Sequence, residues 1–97
     1  MPKYIGLFNW TDAGAQSAKE TVARYSDAKA LVEHMGGSIE SIHWTIGPYD
    51  IVTVVDAPND ETVSAVMLAL ASGGNLRGTT MRAFTEDEMA GVIGKMP

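Results

Sequence analysis

The sequence predicts an α+β sandwich, a single four-stranded sheet with its helices gathered on one face. Three observations predict it. Four short stretches alternate apolar and polar residues with a period of two, and two long stretches repeat their apolar residues every three or four positions. Glycine-, proline- or asparagine-containing turns separate them, giving the order βαββαβ with a short helix after the last strand. Right-handed crossovers then place the first and third strands side by side at the centre of the sheet. This is the ferredoxin-like sandwich.

The elements follow in order. "KYIGLFNW" (3–10) reads as a strand, with Ile5 and Leu7 on one face and Tyr4, Phe8 and Trp10 on the other. Thr11 or Asp12 caps the helix that follows. That helix is predicted from Ala15 to Met35, its inward stripe made of Ala18, Val22, Tyr25, Ala28, Val32 and Met35. Gly36-Gly37 end it, because glycine adopts the left-handed conformation at low cost. "SIESIHWTI" (38–46) is the second strand, and "DIVTVVDA" after Gly47-Pro48-Tyr49 is the third, so the two form a hairpin. "PND" (58–60) caps a second helix with a stripe of Val63, Val66, Met67 and Leu70, stopped at Ser72-Gly73-Gly74. "NLRGTTMRAF" (75–84) is the fourth strand, in which Gly78 marks a bulge or a close backbone approach. "TEDE" (85–88) matches a capping box opening a final helix with Met89, Val92, Ile93 and Met96.

The 97 residues suffice for one domain, residues 1–97. A chain this short buries only roughly 60–65% of its unfolded surface. Formal charge is −5, and the seven cations (Lys3, Lys19, Arg24, Lys29, Arg77, Arg82, Lys95) are scattered, so no nucleic-acid partner is expected. No apolar run approaches the ~18 residues of a membrane-spanning helix. The start reads as structure instead of a signal peptide. With no cysteine, a cytoplasmic protein is expected.

The predicted architecture leaves one sheet face bare, although the first strand is apolar on both sides. Strands of that kind are normally covered on both faces. Tyr4, Phe8 and Trp10 are the residues expected there, forming an apolar patch that a second subunit would cover. A homodimer or larger homo-oligomer is therefore expected.

"MPKYIGLFNWTDAG", "WTIGPYDIV", "DAPNDE" and "GNLRGTTMRAFTEDEM", in that order and spacing, resemble the GYD-domain family. The family signature stands here as Gly47-Pro48-Tyr49-Asp50, and the resemblance covers nearly the whole chain. It implies the dimeric α+β barrel group of ferredoxin-like folds. Relatives in that group include cofactor-independent monooxygenases, haem-degrading enzymes, ring isomerases and pigment-pathway cyclases, so the resemblance implies a fold without naming a reaction. A proline associated with many members near Thr21-Val22 is absent, which implies a less broken first helix.

The hairpin corner has two readings. It is a rigid turn, in which proline fixes φ and Asp50 bonds back to a backbone N–H. Otherwise Tyr49 and Asp50 sit at a pocket mouth with Asp50 as a base or as an acceptor for a ligand. His43 points away from Trp44, either as an exposed strand histidine or as a proton shuttle or haem axial ligand. No metal site is expected, since the two histidines lie on different elements and no ligand motif appears. No cofactor is expected beyond that haem alternative. No serine has a nucleophile-elbow context.

The reading that follows is a small-ligand-binding domain with a pocket between sheet and helices, lined by Asn9, Trp10, His43, Trp44, Tyr49 and Asp50. Arg82 would clamp an anion or pair with Asp50, Asp56 or a partner's carboxylate. The rivals are a cofactor-independent oxygenase, isomerase or lyase using His43 or Asp50 as base, and a purely structural oligomerisation domain.

Overall fold

The computed structural model describes residues 1–97. The strands are β1 (Lys3–Trp10), β2 (Ser38–Trp44), β3 (Ile51–Asp56) and β4 (Leu76–Ala83). The helices are α1 (Asp12–Gln16), α2 (Thr21–His34), α3 (Asp60–Ser72) and α4 (Glu86–Ile93), with a 3-10 turn at Ala18–Glu20. The sheet order is β2-β3-β1-β4, with every neighbouring pair antiparallel. This is the predicted ferredoxin-like fold, with β1 and β3 at the centre. No helix is long and apolar enough to cross a membrane.

Caps and stops fall where their residue types require. Asn59 accepts from Thr62 N–H at 2.9 Å and opens α3. Thr85 and Glu88 make both bonds of a capping box, at 3.2 and 3.0 Å, and open α4. Gly36 takes φ +88° just beyond α2.

The single long first helix is not found. Thr11 caps α1 by accepting from Gly14 N–H, and Gly14 packs so closely on Asn75 that a Cβ there would lie 2.1 Å from its carbonyl oxygen. This pins α1 to the start of β4. At Ser17 (φ −106°, ψ 30°) the chain leaves the helix, and the 3-10 turn resets the helical phase, because three residues per turn do not match 3.6. The predicted stripe therefore holds at Tyr25, Ala28 and Val32, but Val22 points outward, 65% exposed. The absent proline does not make this segment continuous.

The two faces of β1 are exchanged relative to expectation. Tyr4 and Phe8 are among the most buried side chains, 3% and 5% exposed, and they lie beneath the helices. Trp10 shares their parity. The open face carries Ile5 and Leu7, with Val52 and Val54 of β3 and Met81 of β4 beside them by register. Two glycines account for the choice. A Cβ on Gly6 would lie 2.6 Å from Phe8 Cε2, and one on Gly78 would lie 2.7 Å from Phe8 Cδ1, so the phenyl ring lies flat over both. Gly78 thus yields to a side chain, not to a backbone, and β4 runs beside β1 without a bulge. Tyr4 reaches Asp60 in the first turn of α3 through its hydroxyl. The open face remains apolar, with a different set of residues from the one predicted.

Candidate functional site

The corner at residues 47–50 is a joint between three strands. Gly47 takes φ +137°, which favours glycine. Thr45 closes the loop, its N–H donating to the Asp50 carbonyl at 2.8 Å and its hydroxyl to the Tyr49 carbonyl at 2.6 Å. Asp50 N–H donates to the Phe8 carbonyl at 2.8 Å, and the Asp50 carboxylate accepts from Trp10 N–H at 3.0 Å. The signature aspartate therefore extends the β1–β3 ladder by one more pair of bonds and fastens the end of β1 to the hairpin.

A cavity of about 280 Å³ lies between the sheet and the helices. Its origin is geometric. α2 packs chiefly on β2, α3 chiefly on β4, and the two helices touch each other little. They straddle the sheet edges and leave a gap above the central strands. Phe8, Ile51 and Thr53 form its floor, and Val32, Val66 and Met67 line its helical walls. The glycines under Phe8 let the ring lie down and deepen the floor. Trp44 lines the cavity at the β2 edge while 40% exposed, which puts it at the rim. Its indole N–H donates to Thr21 Oγ1 at 3.0 Å, and its ring meets Tyr25 edge-on at 6.0 Å, so strand edge and helix start are joined there. The Thr80 hydroxyl oxygen, at a residue of the lining, is buried without a hydrogen-bond partner.

The predicted pocket residues are dispersed. Trp44 alone among them lines the cavity. His43 is exposed on the open face opposite Val52, and Asn9 shares that face opposite Arg77. Tyr49 and Asp50 belong to the corner. Trp10 lies on the helix-side face, its indole N–H buried and unpaired. Arg82 pairs with Glu88 at 3.2 Å, not with Asp50 or Asp56, and its guanidinium carbon sits 4.8 Å from the Phe84 ring centre and 5.8 Å from that of Tyr4. Asp56 instead pairs with Lys3 at 3.0 Å.

Two groups beside Arg82 are electrostatically displaced. The Thr85 backbone N–H, with Arg82 second, holds Glu88 below the usual carboxylate range. The bond to Asp60, with burial second, raises the Tyr4 phenol. Both lie at the β4–α4 end, outside the chemistry expected of His43 or Asp50. No group of three His, Asp or Glu side chains gathers in a way that could hold a metal ion.

Sequence reasoning missed Arg24 and Asp27, which line the cavity, and gave Tyr25 only a packing role. Tyr25 lay on the predicted stripe, but nothing in the local pattern set Arg24 apart from the other scattered cations.

A curated relative from Thermus thermophilus, named glutamine synthetase and cystathionine beta-lyase binding protein, is 34% identical over 84 residues, covering 86% of this chain and 88% of its own. Among solved structures, MtbAldR superposes with a TM-score of 0.69 at 12% identity, covering 88% of this chain and 52% of that one. A feast or famine regulatory protein from M. tuberculosis, complexed with L-methionine, superposes with a TM-score of 0.57 at 15% identity, covering 88% and 51%. This chain spans about half the length of those two proteins, and at such identities the likeness is one of fold. The GYD domain model matches residues 4–93, with the signature corner inside the match, and the chain belongs to the GYD domain family.

Proposed function

We propose that this chain is a binding domain without catalytic chemistry of its own, whose cavity between sheet and helices takes a small apolar or partly aromatic molecule. The carrying observation is the 280 Å³ space itself, lined mainly by hydrophobic side chains with a few hydroxyls and the charged Arg24 and Asp27, and with neither His43 nor Asp50 in its lining. A general base must reach the proton it removes, and here both candidates stand elsewhere. The domain works in the cytoplasm as a homo-oligomer, its open sheet face (Ile5, Leu7, Val52, Val54, Met81) covered by a second copy. Such a covering removes an apolar surface that a monomer would expose to water.

The test is a Trp10→Phe variant, in which Trp44 is the remaining tryptophan, titrated with phenylacetamide as a compact aromatic probe. Saturable change in Trp44 emission is expected, lost when Ala28→Leu fills the cavity. An emission unchanged at millimolar probe would refute the ligand reading. Sedimentation velocity checks the second copy: an oligomer is expected, with dissociation on Val54→Glu, and a wild-type monomer would remove the oligomer from the proposal.

A second reading is favoured by the Thermus thermophilus relative, alike over nearly the full length of both chains and named for binding two enzymes. Under it this domain is an adaptor for a partner protein. The apolar side chains of α4 and the residues after it supply a surface, since Met89, Val92, Ile93 and, beyond the helix, Met96 are each at least 39% exposed. Mixing the purified domain with glutamine synthetase and cystathionine beta-lyase from its own source tests it; co-elution on gel filtration is expected, and separate elution of all three would sink it.

A further inference from the structure

Resting on the cavity reading, the structure assigns a chemical head group to the molecule held there: we propose that the cavity takes a carboxylate with an apolar body, and that Arg24 receives the carboxylate. Arg24 is the one cation among the lining residues. It lies in the first turns of α2, and Thr21 and Tyr25 of the same helix also line the cavity.

The guanidinium is held in place and only partly used. Nη1 donates to the Ser17 carbonyl at 3.0 Å and to the Ser17 hydroxyl at 2.9 Å. Nη2 donates to the Gly14 carbonyl at 3.4 Å. A guanidinium carries five N–H donors, so the Nε–H and one Nη2–H remain. Nε and Nη2 share one edge of the planar group, the kind of edge to which a carboxylate binds through two parallel bonds. The bonds to α1 and its following residue hold the guanidinium in advance, so little side-chain freedom is lost on binding.

Two carboxylates already near it do not satisfy that edge. Glu20 approaches Nη1 at 3.8 Å, but its side chain is 73% exposed against 22% for Arg24, so water screens the pair. Asp27, one turn along α2, lines the cavity from an exposed position. Arg24 is less exposed than Glu20, so water screens it less than it screens that carboxylate. The rest of the lining is mainly apolar, so an ion without an apolar body would lose hydration without compensation. The volume, about 280 Å³, sets the size at a compact small molecule.

Phenylacetate and phenylacetamide match in shape and differ in charge, and together they test the assignment. Wild-type protein is expected to bind phenylacetate at least tenfold more tightly than phenylacetamide. In the proton–nitrogen correlation spectrum, the Arg24 Nε–H resonance is expected to move with phenylacetate and not with phenylacetamide. Arg24→Gln should retain phenylacetamide binding, which also shows that the cavity has folded, and should lose the preference for the anion. Equal affinity for the two probes, or an Arg24 Nε–H that phenylacetate leaves unmoved, overturns the carboxylate assignment while the cavity reading stands. Binding of neither probe overturns both. The spectral readout uses the unaltered protein, so a variant that failed to fold would not shield the assignment.

Discussion

Gly78→Ala is the sharpest perturbation of the cavity floor. A Cβ at this position meets Phe8 Cδ1 at 2.7 Å, Phe8 Cε1 at 2.9 Å and Met67 Cε at 3.0 Å. To move from 2.7 Å to an ordinary contact at 3.4 Å, the ring must retreat by about 0.7 Å. The ring already lies over Gly6 on its other side. Phe8 therefore has to lift into the cavity. Overpacking of this kind costs about 1–3 kcal/mol. Replacing glycine also restricts the unfolded chain, which returns about 0.4–1 kcal/mol. Taking the middle of each range, the net expectation is a loss of about 1.3 kcal/mol, read as a lower urea midpoint with an unchanged slope. Protein concentration must be held fixed, since assembly would shift the midpoint by mass action. Phe8→Leu in the same chain removes the ring and should recover part of the loss, giving a coupling of at least about 0.5 kcal/mol. A Gly78→Ala protein as stable as wild type, or a double variant whose costs simply add, would refute the flat-ring account of the floor.

Three further predictions follow from the joints of the fold. Asp50→Ala strands the Trp10 N–H and should cost about 1–3 kcal/mol in denaturant unfolding without changing probe affinity by more than about twofold; a stable variant that no longer binds the probe would return Asp50 to the site. Glu88 has a depressed folded pKa, so its contribution is present above the ordinary carboxylate range and is lost as pH falls through the lower folded value. The α4 amides should therefore stay protected from exchange at neutral pH and lose protection under acid, and Glu88→Gln should flatten that dependence; a wild-type profile in the variant contradicts it. Thr85→Ala removes one half of the capping box and should destabilise α4 by about 1 kcal/mol. Because α4 packs little on the rest of the chain, exchange should rise within Glu86–Ile93 while β1 amides remain protected, and a uniform rise across the sheet would show α4 to be part of the cooperative core.

Much of the fold is legible because local chemistry is sufficient for it. Asn59 and Thr85 have side-chain acceptors at the starts of α3 and α4, and Gly36 has the backbone freedom that ends α2. The order βαββαβ, with right-handed crossovers, leaves few arrangements of four strands, and the observed one is among them. The signature corner is legible as a rigid joint, although its particular bonds to Phe8 and Trp10 require β1 to lie beside it.

The sequence by itself determined the four strands and their order, the helices α3 and α4 with their caps, and the family, but it merged α1 and α2 into one helix. Period-two alternation also divided β1 into its two sets, Tyr4-Phe8-Trp10 and Ile5-Leu7. Which set meets the helices was decided only in three dimensions, because both sets are apolar and hydrophobicity does not rank them. The deciding contacts are nonlocal: Gly78 on β4 clears space for a ring on β1, and Asp60 on α3 receives the Tyr4 hydroxyl. The cavity is likewise tertiary, since it exists where two helices fail to meet over the central strands. The same holds for Arg24, whose place in the lining and whose bonds to Ser17 and Gly14 exist only in the folded chain.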